Sequence, residues 1–387
     1  MRRFLIAGEA SGDALGAALM EGLKALAPAL RFDGVGGPLM SAQGLASRFA
    51  MDELSLMGLA EILPKYLHLK RRIRETAQAI IETGPDAVIT IDSPDFCLRV
   101  LRLVRAARPR LPTIHYVAPS VWAWRPGRAR KMAPLVDHVL TLLPFEPTLM
   151  REAGMGASFV GHPVAAEPVI GTAARAAFRA AHGIAADAPL ILCLPGSRRG
   201  EVARLGPLFG DALARLLVKR PEARIVLPAT AARAAQVKAM TLCWPGKPLI
   251  LNAAEIPPEL KRAAFAAADV ALAASGTVSL ELAAQETPMV IGYRMNPVSE
   301  WVIRRMLRVD TVTLVNLVSD TRAVPEYLGP DCRPEALAAA LARLLDEPAA
   351  RDEQRAAMAL TMERLGRGGA APGMRAARAV LEVVSGP

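Results

Sequence analysis

The stretch Ala273–Arg294 reads AASGTVSLELAAQETPMVIGYR and holds one complete structural repeat. An apolar run, Asp269–Ala274, leads into it and predicts a buried strand. A helical pattern follows the polar turn and ends at Thr287-Pro288, and a second apolar run, Met289–Tyr293, predicts the next strand. The order strand, tight turn, helix, strand is the repeat of a parallel α/β sheet.

The turn of this repeat, Ser275-Gly276-Thr277, carries groups that suit an anion. Ser275 and Thr277 are favoured N-cap residues, and Gly276 lets a ligand approach the backbone. The free N–H groups and the positive dipole end of the helix attract negative charge. Glu281 lies one helical turn further on and can hold sugar hydroxyls. Two interpretations stay open: a nucleotide-sugar site, and an ordinary βα turn with a solvated glutamate.

Length and composition limit the possible classes of protein. The 387 residues predict two domains, and 52% hydrophobic with 22% charged residues predicts a globular chain with a sizeable core. A net charge of +10 points to nucleic acid, an anionic membrane surface or phosphorylated substrates. Aromatic residues make up only 4% and do not alternate with the arginines, which argues against base stacking on nucleic acid.

The cysteines and the apolar segments indicate the compartment. The four cysteines are far apart, without metal or disulfide spacing, which suits a reducing cytoplasm. The run Met1–Gly8 becomes polar too soon for a signal peptide. Because no apolar run reaches the roughly 20 residues that span a bilayer, we expect a soluble or peripheral protein.

The N-terminal segment has a Rossmann-like order of strand, glycine loop and helix. The loop Gly8–Asp13 is not G-x-G-x-x-G, and its two acids would repel a pyrophosphate. A loop that faces a sugar through Glu9, Ser11 and Asp13 suits it better, and a plain βα connection is the alternative.

A carboxylate follows the next predicted strand. The apolar run Ala87–Ile91 delivers Asp92 and Asp95 at its carboxyl end, where open α/β sheets bind ligands. Asp95 suits the cap of the following helix, so Asp92 is the better candidate for a general base. The two acids lie three apart and do not match the D-x-D metal pair of many glycosyltransferases, so we predict no metal.

Two further segments of the N-terminal half are unusual. Within Leu54–Ile81, the stretch Leu56–Leu69 is densely apolar and is followed at once by a basic cluster, Lys70–Arg74, as in an interfacial membrane helix. A core helix with a basic edge is the alternative, and the pattern alone favours it.

Trp122 and Trp124 stand with Arg125 directly after a predicted strand, where they can line a sugar or acyl site or pack on the next helix.

A second α/β series begins after a predicted linker, Ala165–Ala174. The strand Leu190–Leu194 is followed by Pro-Gly-Ser-Arg-Arg, and a guanidinium there can grip a phosphate with two hydrogen bonds. We choose Arg198, beside Ser197, and interpret Arg199 as a surface charge. We predict domains at 1–167 and 168–369, with a C-terminal helix at 370–387 that packs back on the first domain.

Six motifs follow one another along the chain: GEASGD at 8–13, IDSPDF at 91–96, YVAPSVWAW at 116–124, LPFE at 143–146, LPGSR at 194–198 and ASGT at 274–277. In this order they closely resemble the lipid-A-disaccharide synthase family of GT-B glycosyltransferases. The resemblance runs from residue 4 to about residue 330. It implies an α/β fold of two Rossmann-like, doubly wound domains facing a central cleft.

The resemblance implies a definite reaction. A 2,3-diacylglucosamine is transferred from UDP to the 6-hydroxyl of 2,3-diacylglucosamine 1-phosphate, with inversion and without metal or cofactor. The products are a β-1,6-linked lipid A disaccharide 1-phosphate and UDP. The enzyme is expected in the cytoplasm, peripherally associated with the inner, anionic face of the cytoplasmic membrane, without a nucleic-acid partner. A homodimer with exchanged C-terminal elements stays open.

The resemblance also assigns roles to residues. Asp92 is the expected base. The UDP site is expected at Ser197, Arg198, Ser275, Gly276, Thr277, Glu281 (on the ribose) and Asn316, in a Val-Asn-Leu motif. The acceptor side is expected at Glu9, Ser11, Asp13 and Trp124. With acylated substrates the interfacial interpretation outweighs the core one, and the membrane patch comprises Leu56, Met57, Leu59, Ile62, Leu63, Tyr66, Leu69, Lys70 and Arg71.

Two other functions compete with this one. A non-hydrolysing UDP-sugar 2-epimerase would share the Ser-Gly-Thr turn and the glutamate, but would have little use for an apolar surface patch. A binding protein would hold a nucleotide sugar without turnover. Replacing Asp92 by Asn separates a binder from a transferase, since only a transferase loses rate.

Overall fold

The computed structural model describes residues 1–54, 59–122, 127–296, 300 and 309–385, and of 59–66 the backbone only. The chain forms two compact units. Unit 1 contains Met1–Ala166 and Leu365–Pro387, and unit 2 contains Glu167–Arg364. The acceptor and donor functions assigned to the two domains stay predictions.

Unit 1 is built on a six-stranded sheet in the order β2-β1-β3-β4-β5-β6, and every neighbouring pair is parallel. Helices cover both faces, so its central strands are continuous apolar runs, which is why the sequence predicted them. The strands are β1 (Arg2–Ala7), β2 (Arg31–Val35), β3 (Ala87–Ile91), β4 (Thr113–Tyr116), β5 (His138–Thr141) and β6 (Gly156–Phe159).

The helices of unit 1 divide between the two faces of this sheet. Ile80 of α3 and Val100 of α4 pack with Phe4 and Val88 on one face, whereas Leu19 of α1 packs on the other. The helices are α1 (Ala10–Leu26), α2 (Pro38–Ala42), α3 (Leu59–Thr83), α4 (Pro94–Ala107), α5 (Gly127–Met132) and α6 (Glu146–Glu152), with 3-10 turns at Met51–Glu53 and Pro163–Ala166.

Unit 2 repeats the plan with the order β9-β8-β7-β10-β11-β12, again all parallel. The sequence predicted five of these strands but not β12, because its three residues are only half-buried and form no apolar run. The strands are β7 (Leu190–Leu194), β8 (Arg224–Ala229), β9 (Leu249–Asn252), β10 (Val270–Ala273), β11 (Met289–Tyr293) and β12 (Glu326–Leu328).

Helices also cover both faces of the second sheet. Phe209 of α8 and Leu341 of α13 are among the buried residues of its largest described core. The helices are α7 (Thr172–Ala181), α8 (Arg199–Lys219), α9 (Ala234–Thr241), α10 (Pro258–Ala267), α11 (Val278–Ala284), α12 (Leu314–Ser319), α13 (Pro334–Asp346) and α14 (Pro348–Arg364), with a 3-10 turn at Gly329–Asp331.

The final helix, α15 (Pro372–Ser385), belongs to unit 1 and packs against α1. The two backbones approach closely, since a Cβ atom built on Gly373 would lie 2.5 Å from the carbonyl oxygen of Ala18. Ala376, Ala377 and Val380 of α15 then complete the core on that face of the sheet.

In each sheet the strand order reverses at one place, and ligands of open α/β sheets bind beyond the carboxyl ends of the strands there. The reversal falls between β1 and β3 in unit 1 and between β7 and β10 in unit 2. We call the turns after β1 and β3 the first switch point, and the turns after β7 and β10 the second switch point.

The two sheets together confirm the prediction of an α/β fold with two doubly wound parallel sheets.

Candidate functional site

The second switch point brings two predicted phosphate-binding turns together. Ala273 of β10 pairs with Leu194 of β7, and the amide of Ala274 donates to the carbonyl of Leu194 at 2.9 Å. The turn Pro195–Arg198 and the turn Ser275–Thr277 therefore start side by side at one edge of the sheet.

The turn Ser275–Thr277 has an open backbone. Gly276 has a φ of 145°, which favours glycine, and a Cβ atom built there would meet no atom within 4 Å. Thr277 is exposed and holds the N-cap position of α11, but its side chain makes no capping hydrogen bond. This corrects the expectation of side-chain caps and leaves the turn open to a ligand.

Arg198 stands at the start of α8, where the sequence placed a phosphate-binding guanidinium. Its side chain is 71% exposed, and its Nη1 donates to Oε1 of Glu201 at 2.9 Å. The helix begins at Arg199 with Arg198 as N-cap. Ser197 is exposed beside it.

Glu201 is a structural part of this turn that the sequence analysis did not assign. Its nearly buried carboxylate also accepts hydrogen bonds from the Arg198 amide at 3.2 Å and from the Tyr293 hydroxyl at 3.3 Å. A Cβ atom on Gly196, whose φ is 110°, would lie 2.8 Å from Glu201 Cβ. The glutamate at the third helical position is a capping-box signal that could have revealed it.

Glu281, the predicted ribose ligand, lies in the first turn of α11 and forms an ion pair with Lys261 of α10. The two side chains are 35% and 39% exposed. They line a small pocket of about 130 Å³ together with Phe265 and Gln285. Lys261 was missed because its partner is 20 residues away on a different helix.

Asn316, which is predicted in the UDP site, is buried in unit 2, with only 1% of the residue exposed. Its side-chain amide donates to the Val324 carbonyl at 2.9 Å and to Glu326 at 3.3 Å, and its oxygen accepts from the Val324 amide at 3.0 Å. These hydrogen bonds hold the segment before β12, and the place of Asn316 in the UDP site stays a prediction.

The first switch point joins the turn after β1 to the turn after β3. Asp92 donates its amide to the Tyr116 carbonyl at 2.9 Å, so the end of β3 is also tied to β4. Gly8 has no room for a side chain, because a Cβ atom there would lie 2.6 Å from Ser93 Oγ. The predicted base therefore stands on a closely packed edge.

Asp92 and Ser93 have an uncommon backbone conformation. Their φ angles are 53° and 43°, in the left-handed region that costs residues other than glycine about 1–3 kcal/mol. Asp92 is half-buried, and its Oδ1 accepts the Ser93 amide at 2.9 Å. Ser93, and not Asp95, is the N-cap of α4, which corrects the predicted cap, and Asp95 is exposed in the first turn.

The three predicted acceptor-side residues of the first loop separate into two groups. Glu9 and Ser11 are exposed at the start of α1. Asp13 is 2% exposed and accepts the amides of Gly37, Leu39 and Met40 at 2.8, 2.9 and 3.0 Å. Asp13 therefore caps α2, and its place on the acceptor side stays a prediction.

The turns after β4 and β5 carry the remaining family-like motifs of unit 1. The Trp122 ring packs edge-on against Phe145 at 5.8 Å, and Glu146 accepts the Leu143 amide at 3.0 Å. Burial raises the pKa of Glu146 to about 7, although the hydrogen bonds from the backbone and the nearby Trp122 lower it. The Trp122 Nε1 atom is buried and makes no hydrogen bond of good geometry to any described residue. Trp124 lies outside the described residues.

The predicted membrane patch is only partly described. Leu56 and Met57 lie outside the described residues, and so do the side chains of Leu59, Ile62, Leu63 and Tyr66, although α3 contains these four. Leu67 is 78% exposed, and Lys70 and Arg71 are exposed nearby. Leu69 packs against the core of unit 1, so at this position the core interpretation is correct.

Two further observations concern metals and membranes. Within the described residues, no three or more His, Cys, Asp or Glu side chains lie together as a metal site would need. The described helices also include none that is long and apolar enough to span a bilayer.

Solved structures with the same fold include UDP-GlcNAc 2-epimerases and a glycosyltransferase. The chain is similar to UDP-GlcNAc 2-epimerase from Neisseria meningitidis bound to UDP-GlcNAc, with a TM-score of 0.65, 12% identity and 100% of both chains covered. It is also similar to MurG from Acinetobacter baumannii, with a TM-score of 0.56, 14% identity and 99% of both chains covered. At these identities the likeness concerns the fold alone.

Sequence relatives are much closer. The chain is 60% identical over 390 residues to the lipid-A-disaccharide synthase of Ruegeria pomeroyi, covering 100% of this chain and 96% of the relative. It is 49% identical over 384 residues to that of Rhodospirillum centenum, covering 99% and 94%. The family model for lipid-A-disaccharide synthetase matches residues 3–376. The chain therefore belongs to the lipid-A-disaccharide synthetase family.

Proposed function

We propose that the chain joins UDP-2,3-diacylglucosamine and 2,3-diacylglucosamine 1-phosphate into the β-1,6-linked lipid A disaccharide 1-phosphate and UDP. The family match over residues 3–376 carries this proposal. The switch points support it, with a half-buried carboxylate at the first and an open glycine turn beside an exposed arginine at the second. Structures of the same fold in complex with UDP-GlcNAc and with UDP-glucose support a UDP-sugar donor.

Asp92 is the proposed base. Its Oδ1 is held by the Ser93 amide, so we assign the acceptor proton to Oδ2. As that proton leaves the 6-hydroxyl, the hydroxyl oxygen forms a bond to the anomeric carbon from the face opposite UDP. The bond between that carbon and the phosphate oxygen breaks, and the anomeric centre is inverted.

The leaving UDP gains negative charge in the transition state. The backbone amides of Gly276 and Thr277 and the guanidinium of Arg198 are the proposed partners of that charge, and they favour it more strongly there than in the ground state. Arg198 is preferred to Arg199 because Glu201 and the helix cap fix it at the edge of the sheet. Arg199 contributes its charge from the surface.

The other predicted residues have supporting roles in this proposal. Ser197 and Ser275 flank the diphosphate, and Glu281 binds the ribose. Glu9, Ser11 and Trp124 stand on the acceptor side, so unit 1 takes the acceptor and unit 2 the donor. Asn316 belongs to the UDP site and Asp13 to the acceptor side in this proposal, and both also hold the fold through buried hydrogen bonds.

Unit 1 is also the proposed membrane-facing part. The exposed Leu67, Lys70 and Arg71 support contact with an anionic lipid surface, since apolar and cationic groups together favour such an interface. Co-sedimentation with anionic and with zwitterionic vesicles tests this contact, and binding to neither would exclude it. Light scattering after gel filtration tests the predicted homodimer.

The reaction is tested by UDP release from UDP-2,3-diacylglucosamine in mixed micelles, with and without diacylglucosamine 1-phosphate and in the presence of a chelator. We expect release that requires the acceptor and survives chelation. Release that stops under chelation would contradict the metal-independent mechanism.

An epimerase of UDP-sugars is the second candidate, because several solved structures with this fold are UDP-GlcNAc 2-epimerases. The same assay separates the two functions. Turnover of plain UDP-N-acetylglucosamine without release from the acylated donor would favour the epimerase and exclude the synthase.

A further inference from the structure

Lys261 is a cation next to Glu281, the proposed ribose ligand. It has no role in the reaction proposed above. It extends from α10, whereas Glu281 extends from α11, so the pair joins two helices on either side of β10 in the sequence. Its Nζ donates to Oε2 of Glu281. Glu281 Oε1 receives no hydrogen bond from the residues that the structure describes.

A second contact restrains Lys261. Its Nζ lies 5.2 Å from the centre of the Phe265 ring, one turn further along α10, in cation–π geometry. The ammonium therefore has two partners, one aromatic and one acidic. Both its position and its direction towards Glu281 are held by side chains of unit 2.

The two helices that carry the pair are fixed to each other. The Thr287 hydroxyl, just after α11, donates to the carbonyl of Phe265 near the end of α10 at 2.7 Å. Gln285 is buried and binds both the Pro168 carbonyl and the Ile170 amide, at 3.1 and 3.0 Å. Glu281 and Lys261 thus stand on a rigid frame, as a precise binding site requires.

The chemistry of a restrained carboxylate favours a diol. An ionised carboxylate only accepts hydrogen bonds, and it therefore needs donors from its ligand. Because Lys261 holds Oε2, the Glu281 carboxylate is oriented before the ligand binds. Binding then avoids the loss of affinity that comes from ordering a long side chain. The pair is more than a third exposed, so we expect little effect on stability and a larger one on orientation.

We propose that Lys261 is a positioning residue that orients Glu281 and thereby sets the preference of the site for a ribose over a deoxyribose diphosphate. This inference rests on the proposed function, in which Glu281 binds the ribose hydroxyls. Lys261 itself holds the carboxylate and does not touch the reacting atoms.

Calorimetric titration of UDP and of 2′-deoxy-UDP tests the proposal on the full chain. For Lys261→Met we expect the preference for UDP over 2′-deoxy-UDP to fall by roughly 3- to 10-fold, the size of one ordinary net hydrogen bond. Affinity for 2′-deoxy-UDP should stay unchanged. Lys261→Arg should restore part of the preference, and kcat should change less than the KM for the donor.

Two variants make the result decisive. Lys219→Met removes an exposed lysine at the far end of α8 and should change neither affinity. Glu281→Gln should lower the preference for UDP at least as much as Lys261→Met.

The outcomes separate the two residues. If Glu281→Gln lowers the preference and Lys261→Met does not, the role of Lys261 is wrong and the proposed ribose ligand stands. If neither lowers it, the ribose role of Glu281 fails and the inference fails with it. Equal losses for both nucleotides in Lys261→Met would also overturn the inference.

Discussion

Both switch points contain residues with positive φ angles, but the residue types that adopt them differ. At the first, Asp92 and Ser93 take left-handed φ angles of 53° and 43° despite their side chains. At the second, Gly196 and Gly276 take the positive φ angles, 110° and 145°, without a steric cost. The strained backbone thus falls at the proposed base, and the glycines fall where the proposed diphosphate would approach the backbone.

The two switch points also carry opposite charges. Glu9, Asp92 and Asp95 make the first switch point acidic, whereas Arg198 and Arg199 make the second cationic. An acidic edge suits proton removal from a hydroxyl, and a cationic edge suits a diphosphate. The contrast predicts that changes at the first affect the rate, and that changes at the second affect the donor as well.

The largest expected effect comes from Asp92→Asn. Loss of a general base should lower kcat by roughly 10²- to 10⁴-fold, because no other group would take the hydroxyl proton. Affinity for UDP, measured by calorimetry, should stay unchanged. The exposed Asp95 offers the matched control, and Asp95→Asn should keep most of the activity. A variant at Asp92 with near-normal kcat would remove the basis for contrasting the two switch points.

Arg198→Ala should have the next largest effect. Without the guanidinium, both UDP affinity and kcat should fall by roughly 10- to 100-fold, the cost of a lost charged hydrogen bond in the ground and transition states. Arg199→Ala is the control in the neighbouring position. If the two variants lose equal activity, or if Arg199→Ala loses more, the assignment of the phosphate to Arg198 is wrong.

A methyl group at each glycine turn sharpens the comparison further. Gly8→Ala puts a Cβ atom 2.6 Å from Ser93 Oγ and should shift Asp92, lowering kcat by roughly 10-fold with UDP affinity intact. Gly276→Ala meets no atom but strains a φ of 145°, so it should weaken UDP binding instead. Steady-state kinetics and UDP titration of both variants check this, and an identical profile for the two would contradict it.

The last expected effect is on stability and not on activity, through Glu146. Burial raises the pKa of its carboxyl to about 7, above the ordinary 4.5, so the folded state favours the neutral form. The neutral carboxyl therefore stabilises the folded state fully below pH 4.5, and this stabilisation is lost as the pH rises through 7. For a pKa shift of this size, the loss in the free energy of unfolding is about 3 kcal/mol. The melting temperature of the wild type should therefore fall relative to that of Glu146→Gln between pH 5 and pH 8.

The exposed Glu152, on the same helix, provides the control for this titration. Glu152→Gln should follow the wild type at every pH. Parallel melting curves for the wild type and Glu146→Gln over the whole range would show that Glu146 is charged in the folded state.

Local patterns predicted the sheet but not every partner of a side chain. β3 and β7 are buried at every residue, so their apolar runs were visible in the sequence. The roles of Asp13 and Lys261 were not visible, because their partners lie 20 to 27 residues away and only the fold brings them close. The hydrogen bonds of Asn316 to its own backbone were not visible either, since a motif does not reveal the partners of an amide.

The position of α15 has a consequence for biosynthesis. All of unit 2 is made between the two parts of unit 1, so the ribosome releases Ala376 and Val380 only after unit 2 is complete. Until then the side of α1 at Ala18 and Gly22, which packs against α15, has no cover, and the sheet of unit 1 lacks part of its core. Domains usually finish folding from the N-terminus onwards, but here the second unit can finish first. A nascent chain halted before α15 would present that uncovered face to chaperones.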